Sequence, residues 1–340
     1  MHMRALESIE GFKRILKTTQ NWQEVIMLMF LNKLGIKLET IKVKFKDGEI
    51  IESDWNTYWK IRNLKYAIML GYLITRRKTT IFNYRGLRVE IPREMLDEAV
   101  SFIDLAERLV QVGISIKAIG NNFIIELPSG VKMLLPFPYP IRSVYETFVK
   151  KSYGNEDLNG KVVLDVGAFI GDTAIYFASR GAYVYAFEPF PPFYNYAVKN
   201  IELNGLQKRV KLYQLALADK NGVLEFKYRP DMWEAGSFGR YYNSEAIAIT
   251  HVECDTLKTI MERLGIHKAY LLKLDCEGCE FDVIPSSVDT LSLFEKIVME
   301  YHVKDVGKSL KELLIPLRRA GFLTKIVGNH NYGYIYAMRK

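Results

Sequence analysis

The chain has 340 residues, 49% apolar and 25% charged, a balance that gives room for two hydrophobic cores and excludes a disordered or fibrous protein. Its net charge of +8 is uneven: residues 1–150 carry 23 Lys/Arg against 16 Asp/Glu, whereas residues 151–340 carry 24 against 23. Three cysteines are too few for a disulfide framework, and the longest apolar runs, near 25–31 and 67–74, fall short of the ~20 residues of a membrane helix, so no transmembrane segment is expected. No secretory pattern opens the chain, and a cytoplasmic setting is the expectation.

The first 38 residues read as helix, with Ile9, Phe12, Ile15 and Leu16 on one face and Trp22, Val25, Ile26, Met29 and Phe30 along the next stretch. Residues 41–45 and 50–51 form a hairpin through Asp47-Gly48, and Tyr58 to Arg76 reads as helix. A second hairpin, 80–84 with 87–91, turns at Arg85-Gly86 before Pro92 opens an amphipathic helix to about Gln111. Short strands follow at 114–118, 123–127 and 131–135. Pro136, Pro138 and Pro140 make an extended connector, and Ile141 to Tyr153 reads as helix. The expected organisation is a smaller α+β domain over 1–145, serving acceptor recognition or assembly into a homo-oligomer, followed by a second domain over 146–340. The excess positive charge lies in the first, where phosphates or nucleic acid would be attracted.

From Lys161 strands alternate with helices, the signature of a parallel sheet with crossover helices. Strands are placed at 162–167, 183–187, 209–216, 270–275 and 295–301, and helices at 171–180, 192–204, 255–264, 279–287 and 308–320. Residues 322–327 and 334–338 read as a closing antiparallel hairpin. The expected fold class is therefore α/β, a Rossmann-like and mostly parallel seven-stranded sheet that resembles class I methyltransferases. Gly222 to Ile249 interrupts this pattern, and its Trp233, Ser237, Arg240, Tyr241 and Tyr242 read either as a cover for an acceptor or as a surface hairpin.

The segment Val162-Val-Leu-Asp-Val-Gly-Ala-Phe-Ile-Gly-Asp172 reads as strand, tight turn and helix, with Gly167 and Gly171 where a backbone must approach a ligand. A dinucleotide fingerprint requires glycine where this chain has Phe169, which disfavours a pyrophosphate. S-adenosylmethionine carries an ammonium, a sulfonium and a ribose diol, which suits a strand-end carboxylate such as Asp165. The next strand ends in Glu188, placed to accept both ribose hydroxyls.

Lys273, Asp275, Glu277 and Glu280 fall within eight residues at a strand end, and Glu300-Tyr301-His302 close the following strand. Methyl transfer to an alcohol needs in-line positioning and a base, for which Asp275, Glu277 and His302 are the candidates. The same groups with a divalent cation are the less favoured reading, and no metal ligand is assigned. For Glu280 and Glu300, compensation of a helix N-terminus and an ion pair with Lys273 is the competing reading. Cys276-Glu-Gly-Cys279 has no second ligand pair for zinc, and both cysteines are expected to be small buried residues.

These residues resemble the FkbM family of methyltransferases. The likeness runs over roughly 155–339 through Val-Leu-Asp-Val-Gly-Ala-Phe-Ile-Gly-Asp-Thr (163–173), Phe-Glu-Pro (187–189), Lys-Asn-Ile-Glu-Leu-Asn (199–204), Ala-Leu-Ala-Asp (216–219), Leu-Lys-Leu-Asp-Cys-Glu-Gly-Cys-Glu (272–280) and Met-Glu-Tyr-His (299–302). The resemblance implies S-adenosylmethionine-dependent O-methylation of a sugar, glycolipid or other small hydroxylated acceptor. It implies a cofactor pocket from Asp165, Gly167, Ala168, Phe169, Gly171, Asp172, Thr173, Glu188, Pro189 and Asp275, with Ala216 and Leu217 along the adenine. Catalytic roles fall to Asp275, Glu277, His302 and Lys273.

The alternative is an RNA methyltransferase. It rests on Arg76-Arg77-Lys78, Arg85 and Arg88 beside Phe82 and Tyr84, cations and aromatics of the kind that bind single strands. Against it, no Pro-Pro-Tyr/Phe turn follows the fourth strand; Pro191-Pro192-Phe193 follows the second. A cofactor-binding scaffold without catalysis is the third reading, opposed by the presence of Asp165, Glu188, Asp275 and Glu277.

Overall fold

The computed structural model describes residues 12–33, 40–75, 79–137, 141–228, 238–239 and 248–339. Arg76-Arg77-Lys78, Pro138, Pro140, Trp233, Ser237, Arg240, Tyr241 and Tyr242 lie outside these ranges, as does Ile9. The chain separates into two compact units, one of Met1–Pro128 with Pro136–Ile141 and one of Ser129–Leu135 with Arg142–Lys340. No helix among the described residues is long and apolar enough to cross a membrane.

In the first unit, α1 (residues 12–18) and α2 (Trp22–Lys33) replace the single helix expected there. They separate because Thr19 bridges to Phe45 and the Asn21 carboxamide takes Lys44 N and donates to Lys42 O, so polar side chains pair with strand backbone instead of continuing the helix. That strand, β1 (Ile41–Lys44), pairs antiparallel with β2 (Ile50–Ser53). Helix α3 (Trp55–Met69) starts where Asp54 accepts from Asn56 N and Thr57 N, a side-chain cap. It ends before Gly71, whose φ of 71° lies in the left-handed region, so the expected continuation to Arg76 is corrected: Leu73–Thr75 is strand β3. Strand β3 pairs with β4 (Thr79–Tyr84), which pairs with β5 (Leu87–Pro92). Helix α4 (Leu96–Gln111) precedes the hairpin β6 (Ser115–Ile119) and β7 (Asn122–Glu126).

Phe82, Tyr84, Phe102 and Phe123 are buried and pack edge to face or tilted against one another. Each such side chain contributes roughly 1.5–3 kcal/mol through burial. A surface stacking platform from Phe82 and Tyr84 is therefore corrected: both rings are core. Arg85 is exposed, but it lies over the Tyr84 ring and pairs with Glu107.

The second unit includes the residues of β8 (Lys132–Pro136) up to Leu135. After α5 (Ile141–Val144) and a π-helical turn, Tyr145–Val149, comes the main sheet. Its strands are β9 (Val162–Val166), β10 (Tyr183–Phe187), β11 (Val210–Tyr213), β16 (Ala269–Leu274), β17 (Phe294–His302), β18 (Phe322–Gly328) and β19 (Tyr332–Arg339). Their spatial order is β11-β10-β9-β16-β17-β19-β18. All neighbours are parallel until β19 runs antiparallel to β17 and β18 closes the edge. The order reverses between β9 and β16, and in such a sheet ligands bind beyond the carboxyl ends of the strands at that reversal.

Leu164, Leu272, Leu274, Phe281, Ile297 and Met299 belong to the core on this sheet. Helices α6 (Asp172–Ala178), α7 (Pro191–Leu203), α8 (Leu257–Arg263), α9 (Glu280–Ser286) and α12 (Lys311–Arg319) fall close to the expected positions; α10 (Val288–Leu291) and α11 (Val303–Val306) are additional short turns. The expected strand over 209–216 divides. Ala216–Leu217, strand β12, leaves the main sheet to pair with β15 (Ala248–Asp255) in a small sheet ordered β12-β15-β13-β14, where β13 is Gly222–Tyr228 and β14 is Phe238–Gly239.

Candidate active site

The turn after β9 is shaped by backbone constraints. Gly167 has φ 75°, and a Cβ there would run into the carbonyl oxygen of Asp275. Gly171 has φ 84° at the start of α6, with Ala197 of α7 only 3.2 Å from where its Cβ would lie. Between them Phe169, half-buried, also adopts a left-handed φ of 50°, which is unfavourable for a bulky residue and is held here by context. Its ring packs on Phe193 at 4.5 Å, and its N–H donates to Glu188 Oε2 at 2.8 Å.

Glu188 Oε1 accepts from Phe190 N at 2.9 Å. Two backbone donors leave further lone pairs on the carboxylate, the capacity that a ribose diol requires. Burial outweighs these two hydrogen bonds and pushes the Glu188 carboxyl up to about 8. Ala168 is buried and Pro189 half-buried beside this turn.

Asp165 is sealed beneath the turn. It accepts from Thr173 Oγ1 at 2.7 Å and pairs with Lys273 Nζ at 3.0 Å, its register partner on β16. The Lys273 ammonium, on a side chain only 1% exposed, also donates to Gly167 O at 2.6 Å and lies over the Tyr153 ring. Asp165 and Lys273 thus brace the turn from beneath, and their pairing replaces the ion pair expected between Lys273 and Glu280 or Glu300. Asp172 is buried too. It accepts from Thr147 Oγ1 of the π-helical turn at 2.6 Å, and burial raises its carboxyl to about 6.

Beyond β16 the loop Asp275–Cys279 enters α9. Tyr153 OH donates to Asp275 Oδ2 at 2.6 Å. Glu277 has φ 55° and a side chain 26% exposed; burial raises its carboxyl to about 7. Glu280 is fully buried and accepts from Gly278 N at 3.0 Å and from His302 N at 2.9 Å, and it contacts His302 Nδ1 at 3.0 Å. His302 Nε2 faces Glu277 Oε2 at 3.4 Å. Burial disfavours the imidazolium, but the carboxylates of Glu277 and Glu280 outweigh it and hold His302 well above its ordinary value. A histidine kept cationic is a poor proton acceptor, so Glu277 is the better base of the two. Single donor atoms of Asp275, Glu277 and His302 also lie within 4.8 Å of one another, a set that would suit a divalent cation.

Around this centre, burial raises Glu300 to about 8, and its register partner Tyr334 on β19 hydrogen-bonds its carboxylate. Ala216 and Leu217 are buried, and Leu217 lines a cleft with Leu224, Phe226, Cys276, Glu277, Cys279 and Asp282. The expectation for the two cysteines is corrected: both are half-buried and joined to each other as a disulfide. Spacing alone was silent, because whether two thiols meet depends on the backbone turn between them.

Two groups were missed. Asn200 of α7, fully buried, donates to Leu134 O and Ile170 O and accepts from Leu134 N, while Asn204, one turn later, takes Lys132 N and donates to Lys132 O. These carboxamides bind β8 to the second unit and brace the glycine turn at Ile170. An Asn-x-x-x-Asn pair on one helix face was the available signal. Tyr153 had none, since its partner lies 122 positions away.

Strand order, glycine turn and acidic strand ends together define a class I methyltransferase domain. Residues 165–332, just under half of the chain, match the methyltransferase FkbM domain. Over 249 residues the chain is 28% identical to the AMB antimetabolite synthetase AmbE of Pseudomonas aeruginosa, covering 59% of this chain and 12% of that protein, so it spans a small part of its relative. Among solved structures, it is similar to methyltransferase FkbM from Methylobacillus flagellatus KT (11% identity, TM-score 0.40, 84% of this chain and 61% of the other). It is also similar to the METTL16 methyltransferase domain (14% identity, TM-score 0.41, 81% and 89%).

Proposed function

We propose that the chain transfers a methyl group from S-adenosylmethionine to a hydroxyl of a sugar, glycolipid or other small hydroxylated acceptor. The observation that carries this reading is Glu277, a half-exposed carboxylate at the β16 strand end whose pKa of about 7 suits removal of an alcohol proton near neutrality. The bound cofactor supplies an electrophilic methyl group. The chain supplies the rest: Gly167 allows close backbone approach, Glu188 offers its remaining lone pairs to a diol, and Asp275, oriented by Tyr153, borders the acceptor side. His302, held cationic by Glu280, positions Glu277.

The test is transfer of isotope-labelled methyl from S-adenosylmethionine into fractionated host extract, wild type against Glu188→Gln. Asp165→Ala is the poorer control, because it would strand the buried Lys273 charge and endanger the fold. Wild-type-dependent label in glycan or lipid supports the reading; label confined to RNA overturns it. The RNA reading retains only the positive charge of residues 1–150, since its aromatic platform is buried.

A further inference from the structure

Cys276 and Cys279 are bonded to each other across the loop that presents Asp275, Glu277 and Glu280. Within that ring Glu277 and Gly278 both have positive φ, 55° and 108°. A glutamate gains nothing intrinsic from the left-handed region, which is unfavourable for an L-residue. Glu277 lies within the ring closed by that bond and faces His302, with Oε2 3.4 Å from Nε2. The loop is also interlocked with the cofactor turn: Asp275 N donates to Val166 O at 3.1 Å, and the Asp275 carbonyl occupies the space that a side chain at residue 167 would need. Both cysteines are half-buried, neither sealed in the core, and they border a narrow cleft with Leu217, Leu224 and Phe226. The third cysteine, Cys254, is buried and unbonded to either.

We propose that Cys276–Cys279 is a reversible redox modification site that sets the shape of the active-site loop, closed and competent as the disulfide and relaxed as the dithiol. In the reducing direction a thiolate of an external dithiol attacks one sulfur, the S–S bond breaks, and the departing sulfur takes a proton. The second external thiol then resolves the mixed disulfide. The protein gains two electrons and two protons, and the reductant leaves as its own disulfide. Relaxation of Glu277 withdraws it from His302 and loosens the Asp275–Gly167 contact, which lowers both cofactor affinity and turnover. This inference rests on the proposed use of S-adenosylmethionine, and its test separates the two.

The full chain is equilibrated in oxidised or reduced dithiothreitol, denatured and alkylated, and the mass is read. One tag, on Cys254, is expected for the oxidised form and three for the reduced. Calorimetric binding of S-adenosylmethionine should weaken about tenfold or more on reduction, the effect of restoring freedom to one or two loop residues. Re-oxidation should restore it. The double variant Cys276→Ala/Cys279→Ala should bind as the reduced protein does and ignore dithiothreitol. Amide exchange of residues 275–280 should accelerate on reduction whether or not the cofactor is bound. Three tags under oxidising conditions, or equal exchange in the two confirmed redox states, would overturn the proposal. Faster exchange without cofactor binding in either state would instead support the redox site and remove the cofactor reading.

Discussion

Glu277 and Glu188 are the residues on which pH should act. Burial raises Glu277 to about 7, so the proton-accepting form grows as pH rises through that value. The rate of methyl transfer should rise along the same limb. Glu277→Gln should lower turnover by about 10²–10⁴ and flatten that limb; a variant that keeps the wild-type pH profile would remove Glu277 as the base. Glu188 titrates at about 8 in the folded chain against an ordinary value of 4.5. Folding therefore favours its protonated form: its contribution to stability is fully present below pH 4.5 and is lost as pH rises to about 8. Denaturant unfolding of the ligand-free protein should show this decline, and Glu188→Gln should reduce it. Above pH 8, where the Glu188 carboxylate is the populated form, the same variant should weaken S-adenosylmethionine binding at least tenfold, about 1.4 kcal/mol, through loss of a charged acceptor. Unchanged affinity would contradict the ribose role. The motif residues Asp165, Gly167, Gly171 and Glu188 were readable because a strand–turn–helix unit imposes their spacing locally. The burial of Asp165 against Lys273 was not, since it depends on the register of two strands more than a hundred residues apart.

At the level of elements, the glycine turn and helix α7 brace one another. Gly167→Ala combines a left-handed φ with a collision against backbone, and nothing flexible stands there to yield. A loss of about 2–4 kcal/mol in chemical denaturation is expected, together with loss of cofactor binding. A variant that folds and binds as wild type would show that the turn re-forms with a different path. Asn200→Ala leaves Leu134 N and the carbonyls of Leu134 and Ile170 without their side-chain partner in a buried setting. About 2–3 kcal/mol of destabilisation should follow, with accelerated amide exchange in β8; an unaffected β8 would refute the bracing role. Helix and strand positions from 161 onward were legible because amphipathic helices alternate with short apolar strands. The division of the 209–216 strand was not, because Ala216–Leu217 pair with β15, and a two-residue strand carries no period of its own.

For the molecule as a whole, two compact units with separate cores predict two calorimetric transitions. Saturating S-adenosylmethionine should raise only one of them, by about 2.7 kcal/mol at a hundredfold excess over Kd. A single transition that moves as one would show that the units unfold together. The sequence by itself determined the α/β class, the alternation of strands and helices along the second unit, the glycine turn and the acidic strand ends, all of which follow from local periodicity and turn chemistry. Tertiary structure alone decided the rest. It sealed Asp165 against Lys273, turned Phe82 and Tyr84 into core, joined Cys276 to Cys279, and set His302 between Glu277 and Glu280, whose carboxylates favour its cationic form. Each of these depends on the distance and burial that packing imposes between residues, quantities that a sequence pattern does not contain.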